Sequence, residues 1–455
     1  MKVIYISLLI VLCSISSHAQ DISGDWTGEL KFEGYTLDLN FKIYKKEGDY
    51  ASLLSVPAQS LNDYKSTSTS LTDSIVRIEL QPLGIKYQGT WSAKDTIVGE
   101  FFQNGMLLKL NLIRGQSQLN RPQEPQPPFA YEVEEVVFRN EADSINLSGT
   151  LTLPKTGGPF PVVILISGSG PQDRNSTIMG HKPFLLLADE LTQSGVGVLR
   201  FDERGVGQSE GDFKQASLDD FVKDVTYAFD FLKNRPEIDS SQIGLLGHSI
   251  GGIIAPRVAI EKNVSFLILL ASPGIRGDEL MLKQRADFLK LRGIDEAQIE
   301  ESNAIFKATY EFINTTSAVG KPLKTEIMRF LATQYAEELM DKQRAVLVDQ
   351  ISSNEFIGLL RNRPAQYLEK VDCPVLAIGG SKDFQVSSTE NLEAIQLKVS
   401  QGGNTRVETR EFEGLNHLLQ ESDTGDVSEY AALEQTMSPR VLDYIKTWLT
   451  KTLDK

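Results

Sequence analysis

Gly247-His248-Ser249-Ile250-Gly251 is the stretch of the chain whose residue types are best suited to chemistry. It lies between an apolar run that favours a buried strand and a segment that is compatible with a helix. A serine at such a strand-to-helix turn is presented as a nucleophile. Small residues must stand two positions before and after it, because the backbone is strained and closely packed there. Gly247 and Gly251 satisfy this requirement. The alternative is an ordinary strand-to-helix turn without a catalytic role.

Acyl transfer at a serine also needs backbone amides that bind the developing oxyanion. The helix after the serine would direct its free amides toward it, so the amide of Ile250 is the first candidate donor. The amide of Ser169 is the second, because it lies in the glycine-rich run 167–170 that follows the apolar strand 161–166. The alternative is a glycine-rich turn without this role. A phosphate-binding loop is disfavoured, since no Gly-Lys-Ser or Gly-Lys-Thr follows.

A serine hydroxyl reacts only when a base within hydrogen-bond reach removes its proton, and histidine is the usual base. The chain offers four histidines: His18, His181, His248 and His417. The first falls in a predicted leader. His248 adjoins the serine, and we expect its side chain to point to the opposite side of the turn. His181 comes soon after strand 161–166, whereas His417 follows the last predicted strand, and we select His417 as the base. A solvated loop histidine is the alternative interpretation.

The third member must be a carboxylate that fixes the tautomer of the imidazole. Asp383 stands just after the strand that precedes the one leading to His417. The order Ser249, Asp383, His417 matches the chain order of serine, acid and histidine that accompanies this type of turn. An aspartate in a surface turn is the competing explanation. The pattern needs no metal or cofactor, and with four histidines no metal site is evident.

Buried strands alternate with amphipathic helices around these residues, which predicts a doubly wound, mostly parallel sheet over residues 130–455. The alternation stops at about 277–370, where helices over 278–292, 296–313 and 324–351 predict an inserted lid over the carboxyl ends of the strands. The predicted strands cover residues 131–138, 145–153, 161–166, 196–201, 243–247, 264–270, 375–379 and 406–412, and the predicted helices cover 183–194, 217–233, 389–400 and 439–453.

Residues 20–115 show short alternating runs separated by turn residues, which predicts a small β-barrel or sandwich. Trp26 near its first strand is expected to plug one end of the core rather than to bind a ligand. The proline-rich residues 116–129 predict an extended linker at the domain boundary.

The first 19 residues have a charged start, an apolar centre and small residues at the end, where a signal peptidase would cut. This pattern predicts a cleaved signal peptide and a secreted or periplasmic protein. The apolar part is too short to span a bilayer, so we expect no stable membrane anchor. Its removal leaves Cys373 as the only cysteine, which we interpret as buried and structural. A net charge of −15 argues against a nucleic-acid partner. The length of 455 residues predicts two folded units.

From about residue 131 onward the chain resembles α/β-hydrolases of the serine-aminopeptidase-like group. The motifs that carry the resemblance are Ser167-Gly168-Ser169-Gly170-Pro171, residues 200–209 with the sequence RFDERGVGQS, and Gly247 to Gly251. The N-terminal part resembles the β domain that precedes some secreted carboxylesterases of this type. One departure is Ser167, where many relatives carry histidine. We interpret Asp202 and Arg204 as a structural pair within their turn.

These observations predict a secreted serine hydrolase that cleaves carboxylic esters with a modest acyl group. A peptidase that removes N-terminal residues is the second hypothesis, and it requires a lid carboxylate such as Glu300, Glu301 or Glu311 to anchor the free amine. The third is a glycan- or lipid-binding protein with an inactive hydrolase domain. The substrate is therefore a small ester or a short peptide, and the oligomeric state is left open.

Overall fold

The computed structural model describes residues 21–32, 35–59, 61–93, 95–115 and 120–454. The chain forms two compact units that divide between residues 118 and 119. The predicted signal peptide, residues 1–19, lies outside the described residues. Within the described ranges, no helix is both long and apolar enough to cross a membrane.

The described part of the first unit is a single antiparallel sheet with the strand order β4-β3-β2-β1-β10-β8-β7-β6-β5 and with β9 paired to β8. Its strands are β1 (Gly24–Phe32), β2 (Tyr35–Lys46), β3 (Asp49–Val56), β4 (Leu61–Lys65), β5 (Ser68–Thr72), β6 (Ile75–Leu80), β7 (Ile85–Ala93), β8 (Thr96–Gln103), β9 (Met106–Lys109) and β10 (Leu112–Arg114). The amide of Ser66 donates to the carbonyl of Ser52 at 2.9 Å, and the hydroxyls of Ser52 and Thr69 lie 2.8 Å apart. These bonds join β3 to the start of β5, so the sheet curls into a half-barrel. The predicted all-β domain is confirmed.

Trp26 lies in the core of this unit, as predicted. Its ring is fully buried, and its indole N–H donates to the carbonyl of Ile22 at 2.8 Å. The guanidinium of Arg114 lies 4.4 Å above the ring. Because the polar edge of the indole has a partner and its faces are covered, this residue packs rather than binds.

The second unit contains a mixed sheet with the strand order β11-β12-β14-β13-β15-β16-β17-β18. Its strands are β11 (Glu132–Asn140), β12 (Ile145–Leu153), β13 (Phe160–Ile166), β14 (Gly197–Phe201), β15 (Ile238–His248), β16 (Leu267–Leu270), β17 (Val375–Gly380) and β18 (Val407–Phe412). The pairs β11–β12 and β12–β14 are antiparallel, and all pairs from β14 through β18 are parallel. Separate apolar cores cover the two faces of the sheet. The strands therefore read as continuous apolar runs, and the predicted α/β architecture is confirmed.

The helices of this unit are α1 (Pro183–Gln193), α2 (Leu218–Lys233), α3 (Gly251–Ala259), α4 (Gly277–Leu291), α5 (Glu296–Thr315), α6 (Gly320–Gln334), α7 (Asp341–Ile351), α8 (Asn354–Leu360), α9 (Ala365–Leu368), α10 (Ser388–Gln401) and α11 (Pro439–Leu453). Ser217 caps α2, as predicted. The carboxylate of Asp220 accepts the amide of Ser217 at 2.9 Å in a capping box.

The inserted region between β16 and β17, where every residue is described, is helical from α4 to α9. It has an apolar core of its own. The single helix predicted over 324–351 is wrong, because the chain breaks between α6 and α7. The buried faces of α6, with Ile327 and Leu331, and of α7, with Leu347 and Ile351, belong to the same core. One straight helix would not bring both of these segments back to that core.

The proline-rich segment predicted as a linker is bonded to the second unit from residue 120 onward. The guanidinium of Arg121 donates to the carbonyls of Leu433, Ala431 and Met179 at 2.8–2.9 Å. The side chain of Gln123 accepts the amide of Thr436 at 2.6 Å. Residues 120–129 are therefore held on the α/β unit by polar contacts that their composition does not reveal.

Candidate active site

Ser249 occupies the tight turn between β15 and α3. Its φ angle is +54°, a left-handed conformation that a non-glycine residue rarely adopts. Its amide donates to the carbonyl of Leu270 at 2.9 Å. A Cβ atom built on Gly247 would lie 2.2 Å from the carbonyl oxygen of Gly251, and one built on Gly251 would lie 2.2 Å from that of Ile166. The turn therefore requires both glycines, as predicted.

His417 and Asp383 are paired. Nδ1 of His417 lies 2.8 Å from Oδ2 of Asp383, and both side chains are buried. The other carboxylate oxygen, Oδ1, accepts the amides of Gln385 at 2.9 Å and Val386 at 2.8 Å. Because these amides fix the carboxylate, Asp383 is held in position to accept a hydrogen bond from Nδ1–H of His417, which leaves Nε2 as the unprotonated nitrogen.

Ser249 and His417 line the same cavity of about 80 Å³, next to Gly168 and Ser169 of the loop after β13. The other lining residues are Gln172, Ser176, Ile178, Pro183, Phe184, Leu187, His248, Leu270, Gln385, Leu418 and Met437. This cavity, which we name the catalytic cavity after the predicted roles of its residues, is formed at the carboxyl ends of the parallel strands. The residues predicted from four separate stretches of the sequence meet here.

The two predicted oxyanion donors come from the turn of the serine and from the loop after β13. Ile250 precedes the first residue of α3, and Ser169 lines the catalytic cavity. A Cβ atom built on Gly168 would lie 3.2 Å from Cβ of Ser249, so the loop passes very close to the nucleophile. Within the described part of the chain, neither amide donates a hydrogen bond to a protein acceptor.

The position predicted for His248 is wrong. Its ring lines the catalytic cavity, with its centroid 4.9 Å from that of His417. Nε2 of His248 lies 3.0 Å from the backbone carbonyl of His417 and donates to it. Burial lowers the pKa of His248 to about 4, so the ring is neutral at neutral pH. Neighbouring side chains of an extended strand point to opposite faces, and the left-handed backbone of Ser249 interrupts this alternation.

Glu203 was missed by the sequence analysis. It follows β14, and its buried carboxyl accepts the hydroxyl of Ser167 at 3.0 Å and the amide of Gln172 at 2.9 Å. Burial raises the pKa of Glu203 to about 8. The carboxyl therefore supports both ends of the loop that carries Ser169. Its place two residues after the end of the buried strand β14, at the edge where the other site residues lie, was the available signal.

A lid residue supports the same loop. Glu355 of α8 accepts the amide of Gly170 at 2.9 Å. Burial raises the pKa of Glu355, because it disfavours the charged carboxylate. The lid is therefore hydrogen-bonded directly to the loop beside the nucleophile.

Asp202 and Arg204 do not pair with each other, contrary to the prediction. The carboxylate of Asp202 binds the guanidinium of Arg174 through two contacts of 2.7 and 3.1 Å. Arg204 binds both carboxylate oxygens of Asp224 at 2.7 Å. The partners come from a distant loop and from α2, so the two charges fasten the turn to different parts of the fold.

The remaining candidates have structural surroundings. His181 is buried, and its ring nitrogens contact the hydroxyl of Thr436 at 3.0 Å and the carbonyl of Tyr430 at 2.8 Å. Cys373 is free and buried, and burial raises its thiol pKa to about 12. Such a thiol is unreactive, which agrees with the predicted structural role.

Comparison with known proteins gives a consistent assignment. The model of the family "Serine aminopeptidase, S33" matches residues 182–423, just over half of the chain. The chain is 27% identical to Esterase EstD of Thermotoga maritima over 316 residues, which cover 69% of this chain and 68% of that protein. It is 24% identical to an uncharacterized 31.7 kDa protein of Escherichia coli, over 56% of this chain and 82% of the relative.

The alignment with the solved structure of the Pyrococcus furiosus esterase Pf2001 covers 72% of this chain and 99% of that chain, with 18% identity and a TM-score of 0.42. The family match extends from the start of α1 past His417 and so includes the serine turn. The chain therefore belongs to the serine aminopeptidase S33 family of α/β-hydrolases and is a hydrolase.

Proposed function

We propose that the protein is a carboxylesterase that works through an acyl-enzyme, with Ser249 as nucleophile, His417 as base and Asp383 as the carboxylate that orients the base. The observation that carries this proposal is the 2.8 Å contact between His417 and Asp383 at the cavity that Ser249 lines.

In the first half of the reaction, Ser249 Oγ forms a bond to the acyl carbon as its proton passes to Nε2 of His417. The amides of Ile250 and Ser169 stabilise the negative oxygen of the tetrahedral intermediate. The ester C–O bond then breaks, and the leaving alcohol takes the proton from His417. In the second half, water attacks the acyl-enzyme by the same proton route and releases the acid.

The surroundings of the site favour an ester over a peptide with a free N-terminus. The lid carboxylates considered as amine anchors, Glu300, Glu301 and Glu311, are all exposed on α5 and do not line the catalytic cavity. The half-buried lid carboxylate, Glu355, is already bonded to Gly170. The similarity to Esterase EstD supports the same choice.

The test compares hydrolysis of short-chain nitrophenyl esters with that of aminoacyl nitroanilides. Wild-type protein should cleave the esters faster, and Ser249→Ala should abolish the turnover. Ser241→Ala, an exposed serine on the same strand, is the matched control and should retain full activity. Faster cleavage of the anilides would favour the peptidase, and ester turnover that persists in Ser249→Ala would exclude Ser249 as the nucleophile.

We also propose that residues 1–19 direct export and are removed. This proposal rests on the charged, apolar and small-residue pattern of that stretch. Intact mass measurement of protein from the periplasm or the medium should find a chain that begins near Gln20. Recovery of the full-length chain from the cytoplasm alone would contradict it.

A further inference from the structure

A second cavity lies under the lid next to the catalytic cavity. This lid cavity, of about 390 Å³, is an open cleft lined by residues of α4, α5, α7 and α8 together with residues 384–385 and 425–427. Its wall is aromatic, with Phe288, Phe306, Tyr310, Phe356 and Phe384. A cavity of this size and lining is typical of a small-molecule site, whereas the catalytic cavity of about 80 Å³ has room only for a short acyl group.

Gln385 lines both cavities. Its amide donates to Oδ1 of Asp383 at 2.9 Å, and its side-chain amide donates to the hydroxyl of Tyr430 at 3.0 Å. Gln385 is therefore fixed at the place where the two cavities adjoin. A substrate whose carbonyl lies at Ser249 and whose larger part enters the lid cavity passes this residue.

One cationic side chain in the wall of the lid cavity has no carboxylate partner. Arg285 of α4 lies in its wall, with the guanidinium 3.8 Å from the ring centre of Phe306. One guanidinium nitrogen donates to the hydroxyl of Ser302 at 3.3 Å, while the buried Nε has no hydrogen-bond partner. No acidic side chain of the described residues lies within ion-pair distance of this arginine.

The acid in the wall of the lid cavity is engaged elsewhere. Asp426 pairs with Arg292 at 3.6 Å and accepts the amide of Ser428 at 2.8 Å. It therefore does not neutralise Arg285. Arg285 is half-buried and its shielded Nε has no partner, and a carboxylate is the group that the planar fork of a guanidinium binds best.

We propose that the natural substrate is an ester of a short acyl group with an apolar or aromatic alcohol that ends in a carboxylate, and that this carboxylate binds Arg285 in the lid cavity. The inference rests on the proposed esterase function and specifies its substrate. On acyl transfer to Ser249, the carboxylate-bearing alcohol is the leaving group and takes the proton from His417.

The test measures binding without turnover. Calorimetry on the Ser249→Ala protein compares 3-(4-acetoxyphenyl)propanoate with the corresponding neutral amide, 3-(4-acetoxyphenyl)propanamide. The carboxylate should bind about tenfold more tightly, as a charge-assisted hydrogen bond implies. Equal affinities for the two probes, or no binding of either, would overturn the inference.

Variants assign the effect to its residue. Arg285→Met in the same background should abolish the preference while affinity for the neutral amide stays within about twofold, which also shows that the cavity is intact. Arg329→Met removes an exposed arginine of α6 and should keep the preference. Should Arg285→Met fail to fold, Arg285→Lys retains the charge without the fork and should show a smaller preference. If either Arg285 variant keeps the full preference for the carboxylate over the amide, the assignment to Arg285 is contradicted.

The esterase proposal is tested separately by hydrolysis of the same two probes with wild-type protein. Binding as predicted without hydrolysis of either probe would contradict the esterase and leave the Arg285 site standing. Hydrolysis of both probes at the same kcat/KM, with equal affinities in Ser249→Ala, would contradict the Arg285 site and leave the esterase standing.

Discussion

The hydroxyl of Ser167 donates to the buried carboxyl of Glu203 at 3.0 Å, at the point where the loop beside the nucleophile begins. The same carboxyl accepts the amide of Gln172 at 2.9 Å, at the other end of that loop. One side chain thus ties the loop that presents Ser169 to the end of β14. A serine hydroxyl and a buried carboxyl together provide the support at this position.

Substitution of Glu203 tests this support. Glu203→Gln leaves both groups with a partner, because its carbonyl accepts the Gln172 amide and its NH₂ group can donate to the Ser167 oxygen, which reverses the bond that Ser167 donates in the wild type. The kcat should therefore stay within a few-fold of wild type. Glu203→Ala removes both bonds and should lower kcat by up to about 100-fold, since small displacements at a reacting centre are costly. Steady-state kinetics on a nitrophenyl ester would check this, and equal activity of the alanine variant would contradict it.

The raised pKa of Glu203 also predicts how stability depends on pH. The folded protein holds this proton up to about pH 8, whereas the unfolded chain loses it near the ordinary value of 4.5. The contribution of this carboxyl to the free energy of unfolding is therefore fully present below pH 4.5 and is lost as the pH rises to about 8. The loss has a slope of at most about 1.4 kcal/mol per pH unit. Urea unfolding gives the free energy of unfolding of wild type and of Glu203→Gln between pH 5 and 8. As the pH rises, the wild type should lose stability relative to the variant. Parallel curves would refute this.

Asp383→Asn should be folded and nearly inactive. The side-chain carbonyl can still accept the amides of Gln385 and Val386, but the new NH₂ group would face Nδ1 of His417. That nitrogen must then lose its proton, and Nε2 becomes the protonated atom, which cannot take a proton from Ser249. We expect kcat to fall by about 10³- to 10⁴-fold with an unchanged thermal midpoint. Kinetics and circular dichroism measure the two quantities, and a loss below about tenfold would show that Asp383 does not orient the base.

His248→Phe should reduce kcat roughly tenfold with little change in KM, because the bond from Nε2 to the carbonyl of His417 is lost and the loop that carries the base is less well fixed. His248→Gln retains a donor and should recover most of the activity. Since the ring is already neutral at neutral pH, neither substitution should move the acidic limb of the kcat/KM profile above pH 5. Equal loss in both variants would indicate that ring packing, and not the hydrogen bond, is what matters.

Gly251→Ala should destabilise the fold strongly, because the new methyl would lie 2.2 Å from the carbonyl oxygen of Ile166. We expect a loss in the free energy of unfolding of about 3 kcal/mol or more. Gly293→Ala is a useful comparison: its Cβ would meet nothing within 4 Å, but its φ is +76°. The free energy of unfolding of this variant should fall only by the cost of backbone strain, about 1 kcal/mol. Similar chemical-denaturation curves for the two variants would be inconsistent with close packing at the serine turn.

Much of this site follows from local patterns, since strand, turn and helix around Ser249 need particular residue types at fixed spacing. The order in which Asp383 and His417 follow their strands placed them at the same sheet edge. The side of the turn taken by His248 depends on one left-handed residue, and alternation along a strand misplaces it. Arg174 and Asp224, the partners of Asp202 and Arg204, arrive from separate elements through tertiary contacts. The lid contact of Glu355 likewise depends on how α8 docks, which periodicity does not encode.

The most direct test of the central claim is to identify the residue that becomes acylated. Wild-type protein is treated with a fluorophosphonate or a slowly hydrolysed ester, digested, and analysed by mass spectrometry. We expect one modified peptide, with the adduct on Ser249, and no adduct in Ser249→Ala or after unfolding. An adduct on another residue, or undiminished ester turnover in Ser249→Ala, would contradict it.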